Sequence, residues 1–301
     1  MNKQSIQNIV KGYSIETTVK EAERVEKFSD LIPGGTCLYI AHVPGTNLRD
    51  TVRLAARIRR EGLEPVPHVV ARRMESKEML QNFVAGLAGE AGVKQVLLVA
   101  GDNEPPLGPF NSTLQILDSG LLEKHQIRKF GVAGHPEGHR AVPNEVLRDA
   151  LKRKNAYAAK TGANVYVVTQ FTFTAQPVIS WEKSHKEDIG ALPITVGLPG
   201  LATAKTLLKF AMDCGVGASL QAFTKRAGSL TNLLVVSTPV EIVIGLAEFR
   251  DRNHQTHIDS VHFFPFGGLK RTAEWANNIA TGNFDFTEDG GLKVVLAVTS
   301  R

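Results

Sequence analysis

The chain has 301 residues, with 35 Lys and Arg against 30 Asp and Glu for a formal net charge of +5. Hydrophobic residues at 43% and charged residues at 22% suit a globular chain with a full core and exclude disorder or a collagen-like repeat. No run of about 18 apolar residues occurs, so no membrane span is expected, and Cys37 and Cys214 alone cannot build a disulfide framework or a four-thiolate zinc site. In chain order one unit recurs: a short β-branched or apolar run, closed by polar residues, then helical periodicity. GYSIETT (12–18) leads into VKEAERVEKFSDLI (19–32), and TCLYIAHV (36–43) into NLRDTVRLAARIRREG (47–62), with Asn47 as N-cap. EPVPHVVA (64–71) precedes SKEMLQNFVAGLAGEAG (76–92), whose Met79, Leu80, Phe83, Val84 and Leu87 share one helical face. KQVLLVAG (94–101) precedes NSTLQILDSGLLEKH (111–125), and RKFGVAG (128–134) precedes VPNEVLRDALKRKNAYAAKTG (142–162). ANVYVVTQF (163–171), LPITVGL (192–198) and IDSVHFF (258–264) complete the strands. AKTLLKFAMDCG (204–215), TPVEIVIGLAEFRDRN (238–253) and GGLKRTAEWANNIATG (267–282) complete the helices.

Strands alternating with helices predict a parallel sheet. Eight units in this length predict a closed (β/α)8 barrel, a TIM barrel of about 250 residues. The chain reads as one domain over 1–301, its core about 12–285. The stretch 200–255 holds more helix than one crossover needs, so an extra helix is expected before the last strand. Residues 286–301 are an added extension, part of a tail suited to a hairpin or an oligomer contact. The opening MNKQSIQNIVKGYSIETT has no apolar leader core, which leads to the expectation of a cytoplasmic chain.

The residues that close the strands carry the chemistry. Barrel active sites lie at the C-terminal strand ends, and there the chain places Glu16, His42, His68, Asp102, His135, His139 and Gln170. Singly, each has an ordinary explanation: a solvated edge for Glu16, a satisfied core imidazole for His68, a turn for Asp102. Gln170 would be odd in a core, because a buried amide needs several partners. HPEGH (135–139) suggests zinc ligands, but Pro136 and Gly138 break the helix that two aligned histidines would need, and H-E-x-x-H is absent. No metal site is therefore expected. G-x-S-x-G, a Walker loop and a dinucleotide fingerprint are likewise missing. RIRR (57–60), ARR (71–73) and LKRK (151–154) read as solvated helix faces rather than a nucleic-acid surface.

Taken in order, Glu16, PHVVAR around His68, LLVAGD ending at Asp102, GVAGHPEGH (131–139), TGANVYVVTQF (161–171) and VHFF (261–264) resemble the methylenetetrahydrofolate reductase family. The resemblance implies a flavoenzyme that passes hydride from NADH or NADPH, through FAD, to the methylene carbon of tetrahydrofolate. It implies Glu16 as general acid and Asp102 as the carboxylate beside flavin and folate. Gln170 would bond the pterin, with Phe171 and Phe264 also in the substrate site. His68, Gly101, His135, His139 and Lys160 would line the flavin, and Lys160 and Lys225 could hold the folate tail. The chain departs from the family pattern at Ala100 (commonly Arg), His135 (Tyr) and Ala204 (the stacking Phe), and in PFGGLKR (265–271). Two other readings stand beside this one. The first is a non-catalytic folate- or flavin-binding barrel, and the second a barrel metallohydrolase using His42, His68, His135 and His139.

Overall fold

The computed structural model describes residues 2–217, 219, 220, 224 and 236–294. All eight predicted strands form: β1 (Ser14–Thr18), β2 (Cys37–Ala41), β3 (Glu64–Val70), β4 (Gln95–Val99), β5 (Lys129–Gly134), β6 (Asn164–Thr169), β7 (Ile194–Pro199) and, after a short antiparallel pair β8 (Ala202–Thr203) and β9 (Val236–Ser237), β10 (Ile258–Phe264). The eight long strands close in the order β1-β10-β7-β6-β5-β4-β3-β2, every pair parallel. The structure is thus the (β/α)8 barrel that the alternation predicts.

The two-residue strand period separates two cores. Ile15, Leu38, Ile40, Val69, Val96, Leu98, Phe130, Val132, Val167, Val196, Leu198 and Phe263 are buried outward against the helices. Tyr39, Val66, Leu97, Tyr166 and Val168 fill the barrel interior. The outer layer comprises α1 (Lys3–Val10), α2 (Val19–Ala22), α3 (Leu48–Arg60), α4 (Lys77–Gly89), α5 (Thr113–Asp118), α6 (Leu121–Lys124), α7 (Asn144–Thr161), α8 (Gln176–Ser184), α9 (Lys186–Ile189), α10 (Ala204–Cys214), α11 (Val240–Arg252) and α12 (Leu269–Thr281). Both α10 and α11 lie between β7 and β10, as the surplus of helix in 200–255 requires.

Local chemistry explains where helices stop short of expectation. Thr18 and Glu21 form a capping box that starts α2, but the Arg57 guanidinium takes the carbonyls of Ala22, Val25 and Glu26. Only a 3-10 turn at Phe28–Asp30 follows, over the segment that Arg57 ties to α3. The helix expected over 111–125 splits because Gly120 takes the left-handed conformation at φ +65°. Sequence periodicity missed α1, whose Ile6, Ile9 and Val10 are buried against α11, α12 and β10, and also α8 and α9. The tail forms an antiparallel hairpin of β11 (Phe284–Phe286) and β12 (Leu292–Val294). No helix among the described residues is long and apolar enough to cross a membrane.

Gly197 sits where β7 meets β6, and its amide donates to Thr169 Oγ1 at 2.9 Å. A Cβ there would collide with the Thr169 carbonyl oxygen and the Phe171 amide, both backbone atoms that cannot yield. Gly197→Ala is expected to cost about 1–3 kcal/mol, as overpacking does, measured as a lower urea midpoint.

Candidate active site

Ser14, Glu16 and Thr18 alternate onto the axial face of β1, and Ser14 pairs in register with His262 of β10. Glu16 Oε2 lies 3.8 Å from His68 Nε2 and 3.7 Å from His262 Nε2. All three atoms are buried and none has a hydrogen-bond partner. Buried polar atoms are almost always satisfied, so three converging open ones describe a socket for the polar groups of a ligand. Burial drives the His68 imidazole down to about 4, overcoming the attraction of Glu16. His68 is therefore neutral at pH 7 and no salt bridge forms with it. On its far side, His262 Nδ1 meets Ser14 Oγ at 2.9 Å.

Beyond His68 the mouth is polar. His42 Nδ1 is buried and open, and burial together with the nearby Arg73 charge lowers its imidazole. Arg73 donates to Asp102 Oδ1 at 2.9 Å and Asn103 Oδ1 at 3.0 Å, leaving Nη1 buried without a partner. The ARR stretch is thus not a solvated face: the Arg73 side chain is only 13% exposed. Asp102 is 77% exposed, and the hydrogen bond from Arg73 holds its carboxyl below the usual range. It is a rim carboxylate tied to Arg73, not a free neighbour of Glu16. Gly101, at φ +91°, is required because a Cβ would meet Val70 Cγ1 at 2.5 Å. His42, Arg73, Asp102, Asn103, Met79 and Leu107 line a 590 Å³ cavity together with the loop that starts α3.

The opposite rim is built differently. His135 and His139 rings meet edge to face at 5.3 Å, and burial lowers His135 to about 4. Lys154 lies behind them, a buried amine brought down to about 8 by desolvation and with no acidic partner among the described residues. The LKRK stretch therefore does not simply face water. Lys160, by contrast, is exposed on the last turn of α7, which runs antiparallel to the strands. That turn lies at the barrel end away from the mouth, so Lys160 cannot line a cofactor there. Lys225 lies outside the described residues. Glu137 accepts the amides of Gly217 (2.9 Å) and Ser219 (3.1 Å) and the Ser219 hydroxyl. The carboxylate of HPEGH thus pins the segment after α10, and the described residues hold no group of three or more metal-capable side chains.

Gln170 Oε1 accepts the Phe171 amide at 3.0 Å, and its NH2 donates to no other described residue. Phe171 itself is fully buried and presents no surface to a ligand. Instead it backs Phe264 and Phe266, at 6.0 and 5.0 Å between ring centroids. Phe264 is half-buried and stands edge-on to His262 at 4.7 Å. Ala204 is buried at the start of α10, while Phe210 of that helix stacks on Phe266 at 4.3 Å. The C-terminal end of α10 brings Cys214 within the field of Glu16; burial first, then that charge, pushes the thiol up to about 11. Sequence reasoning missed His262, Arg73 and Phe266 as mouth residues. His262 was legible: it lies two positions before Phe264, on the same strand face.

A parallel eight-stranded barrel with buried ionisable groups at its C-terminal strand ends has the architecture on which barrel enzymes build their sites. Its sequence makes the assignment narrower: the chain belongs to the methylenetetrahydrofolate reductase family, whose model matches residues 18–264. His68, Asp102, Gln170 and His262 fall inside that span, and Glu16 stands two residues before it. Among solved structures, an uncharacterized protein from Clostridium thermocellum that binds two copies of 5-methyl-5,6,7,8-tetrahydrofolic acid shares the fold. Its TM-score is 0.54 at 12% identity, over 90% of this chain and 98% of that one. A conserved protein of unknown function from a locus in Enterococcus faecalis aligns more loosely. Its TM-score is 0.48 at 10% identity, over 89% of this chain and 65% of that one.

His68 and His135 give the fold a signed pH dependence. Both are lowered from 6.5 to about 4, so as pH falls through that window the unfolded chain takes up protons that the native imidazoles refuse. Stability is expected to drop between pH 6.5 and 4, and less steeply in His135→Asn. Urea unfolding at three pH values in that window measures both slopes.

Proposed function

We propose that this protein interconverts 5,10-methylenetetrahydrofolate and 5-methyltetrahydrofolate, with NADH or NADPH as the hydride source. The observation that carries the reading is Glu16: a half-buried carboxyl whose Oε2 is buried and open at the barrel mouth, faced by two imidazoles and no fixed partner. The imidazolidine ring of the folate must open to an iminium ion before it accepts hydride, and the departing nitrogen needs a proton. Glu16 supplies it, with the His68 and His262 imidazoles flanking its carboxyl at 3.8 and 3.7 Å. The Gln170 amide donates to the pterin edge, and Phe264 provides an apolar wall. Family membership and the folate bound by the Clostridium thermocellum neighbour support the substrate class.

A flavin dinucleotide brings two phosphates, and the β5 rim has the chemistry to meet one. Lys154 is a buried amine lacking an acidic partner among the described residues, with His135 and His139 beside it. These residues fit the group, and Lys154, His135 and His139 would hold it. When bound, FAD supplies the two-electron relay between nicotinamide and folate. Lys154→Met is expected to lower the visible flavin absorbance that copurifies with the protein, whatever its turnover.

The reading is tested by Glu16→Gln. Folate turnover is expected to fall by about 10²–10⁴-fold, the usual worth of a general acid, while reduction of bound flavin by nicotinamide persists. Equal loss of both half-reactions would remove Glu16 from the acid role. One observation favours a second reading: Asp102 is neutralised by Arg73 and turned to solvent, which suits a folate-binding barrel without catalysis. Tight folate binding with no turnover under either donor would select it.

A further inference from the structure

The interior of the barrel holds a line of hydroxyl groups behind His262. Ser14 Oγ is 2.9 Å from His262 Nδ1, and Tyr39 Oη is 2.7 Å from Tyr166 Oη. Tyr39 further packs its ring on the His262 ring at 4.4 Å between centroids. The line ends at Tyr166, in a cluster otherwise made by Val66, Leu97 and Val168. Gly131 makes room for it, since a Cβ there would come within 3.0 Å of Tyr166 Oη and 2.8 Å of Leu97 Cδ1.

The bond between Ser14 and His262 can run in two directions. If Nδ1–H donates to Ser14, the hydrogen of the buried Ser14 hydroxyl has no geometric hydrogen bond to any described residue. If Ser14 donates to Nδ1, that hydrogen is used and the ring nitrogen accepts it. A buried donor without an acceptor is costlier and rarer than an acceptor with a spare lone pair. The second direction wins, and it leaves the imidazole proton on Nε2, the atom that faces Glu16 at 3.7 Å.

We propose that Ser14 is a positioning residue that holds His262, on whose ring Tyr39 packs, as its Nε2–H tautomer, so that the imidazole turns an N–H toward the Glu16 carboxyl. The role matters for the acid chemistry only if the function proposed above is right, but the tautomer itself does not depend on it. Among the described residues, the charged and titratable groups around Glu16 are His68 of β3, His262 of β10, Glu21 of α2 and Cys214 of α10. Those around His262 are Glu16, His68 and Tyr39. None of these places a second acceptor on Nδ1.

Nitrogen-15 NMR of histidine-labelled protein tests this directly, with the His262 signals identified by their loss in His262→Asn. The expected spectrum has Nε2 protonated and Nδ1 bare. Ser14→Ala should shift the ring toward the Nδ1–H form or a mixture, and Ser14→Thr, which keeps the hydroxyl, should restore the native tautomer. A native ring protonated on Nδ1, or an Ala variant with an unchanged spectrum, would overturn the assignment. The native spectrum alone decides the first of these points should Ser14→Ala fail to fold. In turnover assays, Ser14→Ala should displace the pH–rate profile and lower kcat more than it changes KM, with Ser14→Thr close to native. If neither donor supports turnover, the proposed function fails while the spectrum still decides the tautomer.

Discussion

The arrangement on which the rest of the structure depends is one carboxyl held between two imidazoles on the barrel axis. Glu16 has no hydrogen-bonded partner of its own, and neither do the two Nε2 atoms that face it. Burial keeps His68 neutral, so the cluster is not a closed ion pair whose needs are already met. Only barrel closure achieves this, because it pairs β10 with one edge of β1 while β3 stands one strand beyond the other edge, and the interior-facing side chains of both reach Glu16. A carboxyl so placed keeps its capacity to bind or protonate for something that enters from the mouth.

The two rims around it divide the work. Over β2 to β4, Arg73 gathers Asp102 and Asn103 and shapes a polar cavity next to His42. Over β5 to β10, Glu137 pins the segment after α10, and the Phe171, Phe210, Phe264 and Phe266 rings pack into a second apolar cluster above the interior. Ala204 is buried at the start of α10 on that side of the mouth, and Phe210 of the same helix stacks on Phe266 within the cluster.

Much of the fold was legible because barrel construction writes itself into local pattern. Each strand announced itself by a short β-branched run and a polar end, and capping residues such as Asn47 and Ser76 marked their helices as expected. Helix length was less legible where long-range contacts intervened, as where Arg57 binds the carbonyls of Ala22, Val25 and Glu26 just past the short α2. Among the candidate residues, Glu16 and His68 were named and do converge. Lys160 was misplaced by reading a basic residue without the direction of its helix, and Phe171 by reading an aromatic without its burial.

The sequence by itself determined the barrel, the strand ends and several of the polar side chains at the mouth, because alternation and periodicity are local properties of the chain. Tertiary structure alone decided which of those groups meet. His262 lies 246 positions from Glu16 in sequence and closes the same cluster because β1 and β10 are adjacent in the ring. Asp102, by contrast, was drawn outward by Arg73, and Lys154 rather than Lys160 was turned inward by the packing of α7. Contacts, burial and charge pairing of that kind are set by the closed ring and its helices, and no local pattern encodes them.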